Sequence, residues 1–261
     1  MDFSNRVAVV TGAGSGIGRA AAVRFARLGA EVAVVGHSQD SAAEVVAQIA
    51  AAGGVAEAYA AEVSDPDAVA ELFGRIGRRW HRVDVVVANA GINGVWAPLG
   101  ELGADEWSRT IAVNLTGTFL TVKHALPLLR AAGGGAVVVT SSVNGTRMFS
   151  NSGASAYSAS KAGQVAFAKS IAVELARDHI RVNVICPGSI GTEISDNTEQ
   201  RATEHLHLRV EYPEGQIPLT GTEPGSADQV ADLIAFLSSD AASHITGTEV
   251  WIDGAQSLLQ G

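Results

Sequence analysis

Val7-Ala8-Val9-Val10-Thr11-Gly12-Ala13-Gly14-Ser15-Gly16-Ile17-Gly18 runs directly into the helical pattern Arg19-Ala20-Ala21-Ala22-Val23-Arg24-Phe25. A short, continuously apolar and β-branched run reads as a strand covered on both faces, the mark of a parallel sheet between helix layers. The glycines therefore occupy a strand-to-helix turn. Glycine permits a tight turn and lets backbone approach a phosphate with no Cβ in the way. The first N–H groups of the helix then face that phosphate, and the helix dipole favours its charge. The strict G-x-G-x-x-G spacing is not met; what stands is T-G-x-x-x-G-x-G. A glycine cluster also suits a plain β-to-α turn, but Gly12, Gly14, Gly16 and Gly18 directly after the first strand favour a bound dinucleotide.

Similar apolar runs follow at 32–35, 83–87, 136–140, 182–185 and 248–252, with a weaker one at 55–60. Between them lie helix patterns near 17–28, 40–52, 66–80, 105–131, 156–177 and 226–238, several opened by a capping residue or by Pro66 in the first turn. Repeated β-then-α order predicts an α/β fold: a doubly wound, Rossmann-type parallel sheet of about seven strands with helices on both faces. No linker, repeat or second periodic regime divides the chain, so 1–261 reads as one domain. The stretch 193–220 breaks the pattern with six acids, two Arg, two His and two Pro. It follows the sixth strand, where the carboxyl ends of parallel strands gather ligands, and it reads as a substrate lid.

Composition narrows the function. The 261 residues carry 18 Lys+Arg against 27 Asp+Glu, a net charge of −9, which argues against nucleic acid as a partner. With 47% hydrophobic and 17% charged residues the chain is too apolar for disorder, and part of its helix surface is expected to be buried between subunits. One cysteine, Cys186, excludes an internal disulfide, and no Cys/His cluster has zinc spacing, so no metal is expected. An acid at position 2 and only a short apolar run before Thr11 are wrong for a signal peptide or a membrane span; the expectation is a cytoplasmic protein without membrane contact.

Further motifs stand in order along the chain. Asn89-Ala90-Gly91 follows the fourth strand, Asn114 lies in the next helix, Ser141-Ser142 ends the fifth strand, and Tyr157-Ser158-Ala159-Ser160-Lys161 opens the following helix. Pro187-Gly188 comes after the sixth strand, and Ile245-Thr246-Gly247 through Asp253-Gly254 near the end. Together with the glycine turn they resemble the short-chain dehydrogenase/reductase family in its short single-domain branch.

Tyr157 and Lys161 are four residues apart, which on a helix puts both on one face. An unperturbed tyrosine titrates near about 10, and an adjacent ammonium favours phenolate, so Tyr157 is expected to have a lowered pKa. The resemblance implies hydride transfer between a nicotinamide and a carbonyl/alcohol substrate, with Tyr157 as general acid/base. It also implies that Lys161 tunes Tyr157 and holds the cofactor ribose, that Ser142 hydrogen-bonds the substrate oxygen, and that Asn114 holds a water leading protons to Lys161. Gly12, Ser15, Gly16, Ile17 and Gly18 would meet the phosphates and Glu62 and Val63 the adenine. Asn89, Ala90, Gly91, Pro187, Gly188 and Ile190 would line the dinucleotide, with Thr192 at the nicotinamide amide. A serine-hydrolase reading of Ser142 fails because the glycines of a G-x-S-x-G elbow are missing around it.

Gly36-His37-Ser38 ends the second strand with no acid before Asp40. Absence of a carboxylate there favours NADP over NAD, although His37 is a weaker phosphate anchor than Arg; the other reading has Ser38 bonding the ribose of NAD. Ser142 and Tyr157 are 15 apart, longer than the family habit, so the turn near 146–152 should reshape the pocket. Asn144, Arg147 and Phe149 are its candidate substrate contacts, together with Gly94, Val95, Trp96, Ser189, Ile190 and, in the lid, His205 and His207. The lid's charge of −4 disfavours a polyanionic carrier and favours a small ketone or polyol. A 3-oxoacyl thioester reductase, a non-catalytic nicotinamide-binding regulator, and dehydration or epimerisation through transient oxidation stay open as alternatives. Val165, Phe167, Ile171, Val173 and Leu175 make the helix after Lys161 apolar around much of its circumference, which calls for cover by another subunit. The family implies a homotetramer.

Overall fold

The computed structural model describes residues 1–194, 198–203, 205–206 and 212–260. Its strands are β1 (Val7–Thr11), β2 (Glu31–Gly36), β3 (Val55–Ala60), β4 (Val85–Ala88), β5 (Val95–Trp96), β6 (Gly135–Thr140), β7 (Ile180–Pro187), β8 (Glu199–Gln200) and β9 (Glu249–Ile252). Seven of them form one parallel sheet in the order β3-β2-β1-β4-β6-β7-β9, and β5 pairs with β8. Along β1, Val7 and Val9 enter one core while Ala8 and Val10 enter the other. With both faces covered, every position of the strand must be apolar, which is why the run does not alternate.

Helices α1 (Gly16–Arg27), α2 (Gln39–Ala51) and α3 (Pro66–Trp80) follow the first three strands, and α4 (Ala104–Ile111), α5 (Gly117–Ala131), α6 (Ser155–Leu175), α7 (Ala227–Ser238) and α8 (Gln256–Gln260) complete the chain. One layer holds α1, α2 and α7, packed on Val32, Val34 and Val85; the other holds α3, α5 and α6, packed on Val86, Val137 and Val182. Local signals set several ends. Asp65 accepts from the Asp67 and Ala68 N–H groups at 2.9 and 3.2 Å, ahead of Pro66 in the first turn of α3.

The helix predicted over 105–131 is not continuous. A π-helical turn over 112–116, Ala112–Thr116, separates α4 from α5, and it contains Asn114. Such widened turns inside helices are frequent at functional sites. The stretch 193–220 is not structureless where it is described. Strand β8 joins β5, Asn93 Nδ2 donates to Thr198 Oγ1 at 2.6 Å, and Arg201 grips Glu106 of α4 through two nitrogens at 3.0 and 2.8 Å. His205 belongs to the described part; His207 lies outside it. Among the described residues no helix is long and apolar enough to cross a membrane.

Candidate active site

Strand order reverses between β1 and β4, and at the carboxyl ends of these strands opens a cleft of about 730 Å³. This is where open α/β sheets bind ligands. Gly12 (φ 64°) and Gly16 (φ 51°) turn the chain through left-handed conformations, and a Cβ on Gly18 would run into the Gly12 carbonyl oxygen. Asn89 braces the turn. Its Nδ2 donates to the Thr11 carbonyl at 3.1 Å, while the Thr11 hydroxyl accepts from the Asn89 and Ala90 N–H groups at 3.1 and 3.2 Å. Ser15 starts α1 in an extended conformation without a side-chain cap, so the first-turn N–H groups are left for an anion. A cradle with this geometry fits a dinucleotide pyrophosphate.

At the other end of the cleft stand Ser142, Tyr157 and Lys161, the last two 8% and 3% exposed. Ser141 Oγ donates to the Lys161 carbonyl at 2.8 Å, locking the end of β6 to the first turns of α6. Lys161 Nζ donates to the Thr140 carbonyl at 2.9 Å and lies 5.5 Å from the centre of the Tyr157 ring. Burial raises the Tyr157 pKa above 10.0, and its hydrogen bond with the Ser142 side chain draws it part of the way back. The expected lowering by Lys161 is therefore not what the protein alone displays: the ammonium is anchored on Thr140 and desolvation dominates. Burial also lowers Lys161, to about 8, against a smaller opposing influence from Cys186.

Asn114 does not reach the cleft wall. Its Oδ1 accepts from the Ile92 N–H at 2.8 Å, and its Nδ2 donates to the Ile92 carbonyl and to Ser160 Oγ, both at 2.9 Å. It thus sits behind Gly91, tying the loop after β4 to α6. Gly18 and Ser38 also stand off the wall. Gly18 packs against the turn, and Ser38 caps α2, accepting from the Ser41 N–H at 3.3 Å. Gly12, Ser15, Gly16, Ile17, His37, Glu62, Val63 and Thr192 do line the cleft, as do Asn89-Ala90-Gly91, Pro187-Gly188 and Ile190. His37 Nδ1 is 3.5 Å from a Glu62 oxygen, and the other Glu62 oxygen accepts from the Ser64 N–H and hydroxyl at 3.1 and 2.8 Å.

Candidate substrate contacts divide. Trp96 stacks obliquely beside Tyr157, ring centres 6.5 Å apart, and Asn144 accepts from Asn151 at 3.0 Å next to Ser142, but neither lines the described cleft. Arg147 turns away, its guanidinium 3.5 Å above the Trp251 ring, and Phe149 is exposed. Gly94 packs on Thr110, Val95 lies in the β5–β8 pair, and the Ser189 N–H is held by Gln256 at 2.8 Å. Sequence reasoning missed Arg109, Val113 and Thr140, which do line the cleft. The signal for the first two was available: they are four residues apart, and Val113 immediately precedes Asn114.

The profile of a family described as enoyl-(acyl carrier protein) reductase matches residues 12–255. The cis-4-hydroxycyclohexanecarboxylate dehydrogenase of Sinomonas cyclohexanicum is 41% identical over 259 residues, 98% of each chain. The crystal structure of a 3-ketoacyl-ACP reductase from Sinorhizobium meliloti 1021 superposes with a TM-score of 0.94 at 51% identity, covering 97% of this chain and 99% of that one. A 7α-hydroxysteroid dehydrogenase complexed with NADH and 7-oxo glycochenodeoxycholic acid superposes with a TM-score of 0.86 at 27% identity, covering 100% and 96%. Glycine turn, Ser142, Tyr157 and Lys161 around one cleft agree with these likenesses: the chain belongs to the short-chain dehydrogenase/reductase family and is an NAD(P)-dependent oxidoreductase.

Proposed function

We propose that the protein reduces a small ketone, or oxidises the corresponding alcohol or polyol, with Tyr157 as the general acid/base. The observation carrying this reading is the buried Tyr157, which lines the cleft together with Ser142 and Lys161 at the far end from the Gly12 turn. When bound, the nicotinamide supplies or takes up the hydride. In reduction, Tyr157 Oη gives its proton to the substrate oxygen while the Ser142 hydroxyl donates a hydrogen bond to the same oxygen. A phenol raised by burial holds its proton at neutral pH, which suits an acid. In oxidation Tyr157 must first lose that proton to solvent, a step the charge on Lys161 favours, and its phenolate then takes the proton of the alcohol as the hydride leaves. In this reading Lys161 also holds the ribose, Gly12, Ser15, Gly16, Ile17 and Thr192 hold the rest of the dinucleotide, and Glu62 and Val63 meet the adenine, as supported by their all lining one cleft.

NADP is the preferred form in this reading, supported by His37 on the cleft wall and by the lack of an acid between the end of β2 and Asp40. The dehydrogenase likeness to an enzyme named for a cyclohexane alcohol supports a small cyclic substrate. A second reading, 3-oxoacyl thioester reduction, is favoured by the 51% identity to a structure named for that activity. A homotetramer is supported by the outer face of α5 and α6, where Phe119 meets Phe167 edge to face at 6.1 Å and Val173 is 81% exposed. The free thiol Cys186 suits the cytoplasm.

The test is nicotinamide absorbance on a panel of cyclic ketones, polyols and a 3-oxoacyl thioester with both cofactors. Turnover of at least one is expected, and Tyr157→Phe should lower it by about 10²–10⁴-fold while the dinucleotide still binds. A variant keeping the full rate would remove Tyr157 from the chemistry.

A further inference from the structure

Gln164 lies in α6, three residues past Lys161, and is 0% exposed. Its Nε2 donates to the main-chain carbonyl of Asn114 at 2.9 Å and to the Thr118 hydroxyl at 2.7 Å. The Thr118 hydroxyl itself donates to that carbonyl, also at 2.7 Å. A carbonyl oxygen has two lone pairs, so both are engaged. The Gln164 Oε1, in contrast, is buried without a hydrogen-bond partner among the described residues. Burying an unpaired amide oxygen is costly, and a methionine would fill similar space without that cost. What the glutamine contributes must come from its donor end, and that end points into the π-helical turn.

The consequence falls on the lysine. Both Nδ2 hydrogens of Asn114 are used, on the Ile92 carbonyl and Ser160 Oγ, and one Oδ1 lone pair is used by the Ile92 N–H. Among the described residues, one acceptor position of the Asn114 side chain is left, on Oδ1. A Cβ on Gly91 would lie 3.2 Å from that Oδ1 and 3.4 Å from Lys161 Nζ, so the two atoms border one small space that glycine keeps open.

We propose that Gln164 is a positioning residue for the reaction: by holding the Asn114 carbonyl it fixes the widened turn and sets the Asn114 amide oxygen opposite Lys161 Nζ across Gly91. This rests on Lys161 serving Tyr157. The substitution that tests it is Gln164→Met in the full chain, with Gln164→Leu as a second apolar replacement should the first fail to fold. In the protein without cofactor, amide hydrogen exchange over 112–118 should speed up by about tenfold, with the rest of α6 unchanged and no fall in thermal midpoint. With a panel substrate, kcat should drop by about tenfold at unchanged KM for both substrates, and the pH profile of kcat should shift. Unchanged exchange and an unmoved pH profile would overturn the proposal. So would a lower kcat that merely tracks a lower midpoint and weaker dinucleotide binding, the behaviour of a packing residue. The exchange measurement needs no turnover, so silence across the whole panel would count against the hydride-transfer reading and leave the test of Gln164 intact.

Discussion

Lys161 Nζ stands 5.5 Å from the centre of the Tyr157 ring, with its hydrogen bond given to the Thr140 carbonyl at 2.9 Å. The pair is thus one helical turn apart in different settings, Tyr157 beside the Trp96 ring and Lys161 tied to the end of β6. A buried ammonium in such a place is a liability to the fold, retained for its charge.

Replacing Lys161 with methionine should therefore stabilise the protein at neutral pH. Its pKa is lowered from 10.5 to about 8, which corresponds to a penalty of about 3 kcal/mol at about 1.4 kcal/mol per unit, less about 1 kcal/mol for the lost hydrogen bond to Thr140. The sign follows from proton counting. Between about pH 8 and 10.5 the unfolded chain binds more protons at this side chain than the native one, so the wild type gains stability as pH rises through that window. Urea unfolding of both proteins should show Lys161→Met ahead by about 2 kcal/mol at pH 7, with the margin narrowing toward pH 10. A variant less stable than wild type at pH 7 would contradict this account.

Much of the architecture was legible because burial on two faces leaves a plain signature. Val7, Ala8, Val9 and Val10 each enter a core, so the strand is uniformly apolar, and the glycine turn and the four-residue step from Tyr157 to Lys161 are local patterns. What escaped reading is set by distant partners. Nothing in Ala112-Val113-Asn114-Leu115-Thr116 interrupts a helix by propensity; in the fold, Ile92, Ser160 and Gln164 all bond to Asn114 inside the widened turn. Arg147 looked like a pocket residue because it follows Ser142 closely, yet Trp251, on the edge strand β9, draws it away.

Two helical glycines should answer to alanine with opposite signs. Gly74 lies exposed in α3, where a Cβ would meet only the Arg78 side chain at 3.6 Å, so Gly74→Ala should stabilise by about 0.5–1 kcal/mol through helix propensity. Gly18→Ala gains the same propensity but drives its methyl into the Gly12 carbonyl and the Asn89 amide. It should cost about 1–3 kcal/mol and weaken dinucleotide binding at least about tenfold. Thermal unfolding and fluorescence titration of the two variants check this; equal responses would mean the turn has slack that the geometry denies.

His37 offers the most direct reading of cofactor choice. An aspartate there would set a carboxylate beside any 2′-phosphate and could accept from both ribose hydroxyls, so His37→Asp should lower NADP affinity and raise NAD affinity, each by about tenfold. His37→Arg should move both in the opposite direction, since a guanidinium can grip a phosphate through two nitrogens. Titrating wild type and both variants with each oxidised cofactor decides it. Wild type binding NAD more tightly than NADP would reverse the proposed preference.

Arg201 joins the stretch after β8 to α4, through Glu106 at 3.0 and 2.8 Å and the Glu101 carbonyl at 2.8 Å. Both side chains are partly exposed, and an ion pair in such a place adds little to global stability, so Arg201→Gln should leave the thermal midpoint nearly unchanged. Its effect should be local. Without the two-pronged grip, β8 keeps only its pairing with β5 and the Asn93–Thr198 bond, the strand itself is only two residues long, Glu199–Gln200, and Leu206 and Tyr212 beyond it become easier to cut. Chymotrypsin should nick the variant several-fold faster there, and high salt should bring wild type toward the same rate because exposed charges are screened. If this stretch closes over substrate, KM should rise with little change in kcat, since the reacting groups just past β6 and on α6 are held by separate bonds. Unchanged nicking together with unchanged KM would show that the grip of Arg201 on Glu106 does not govern the stretch.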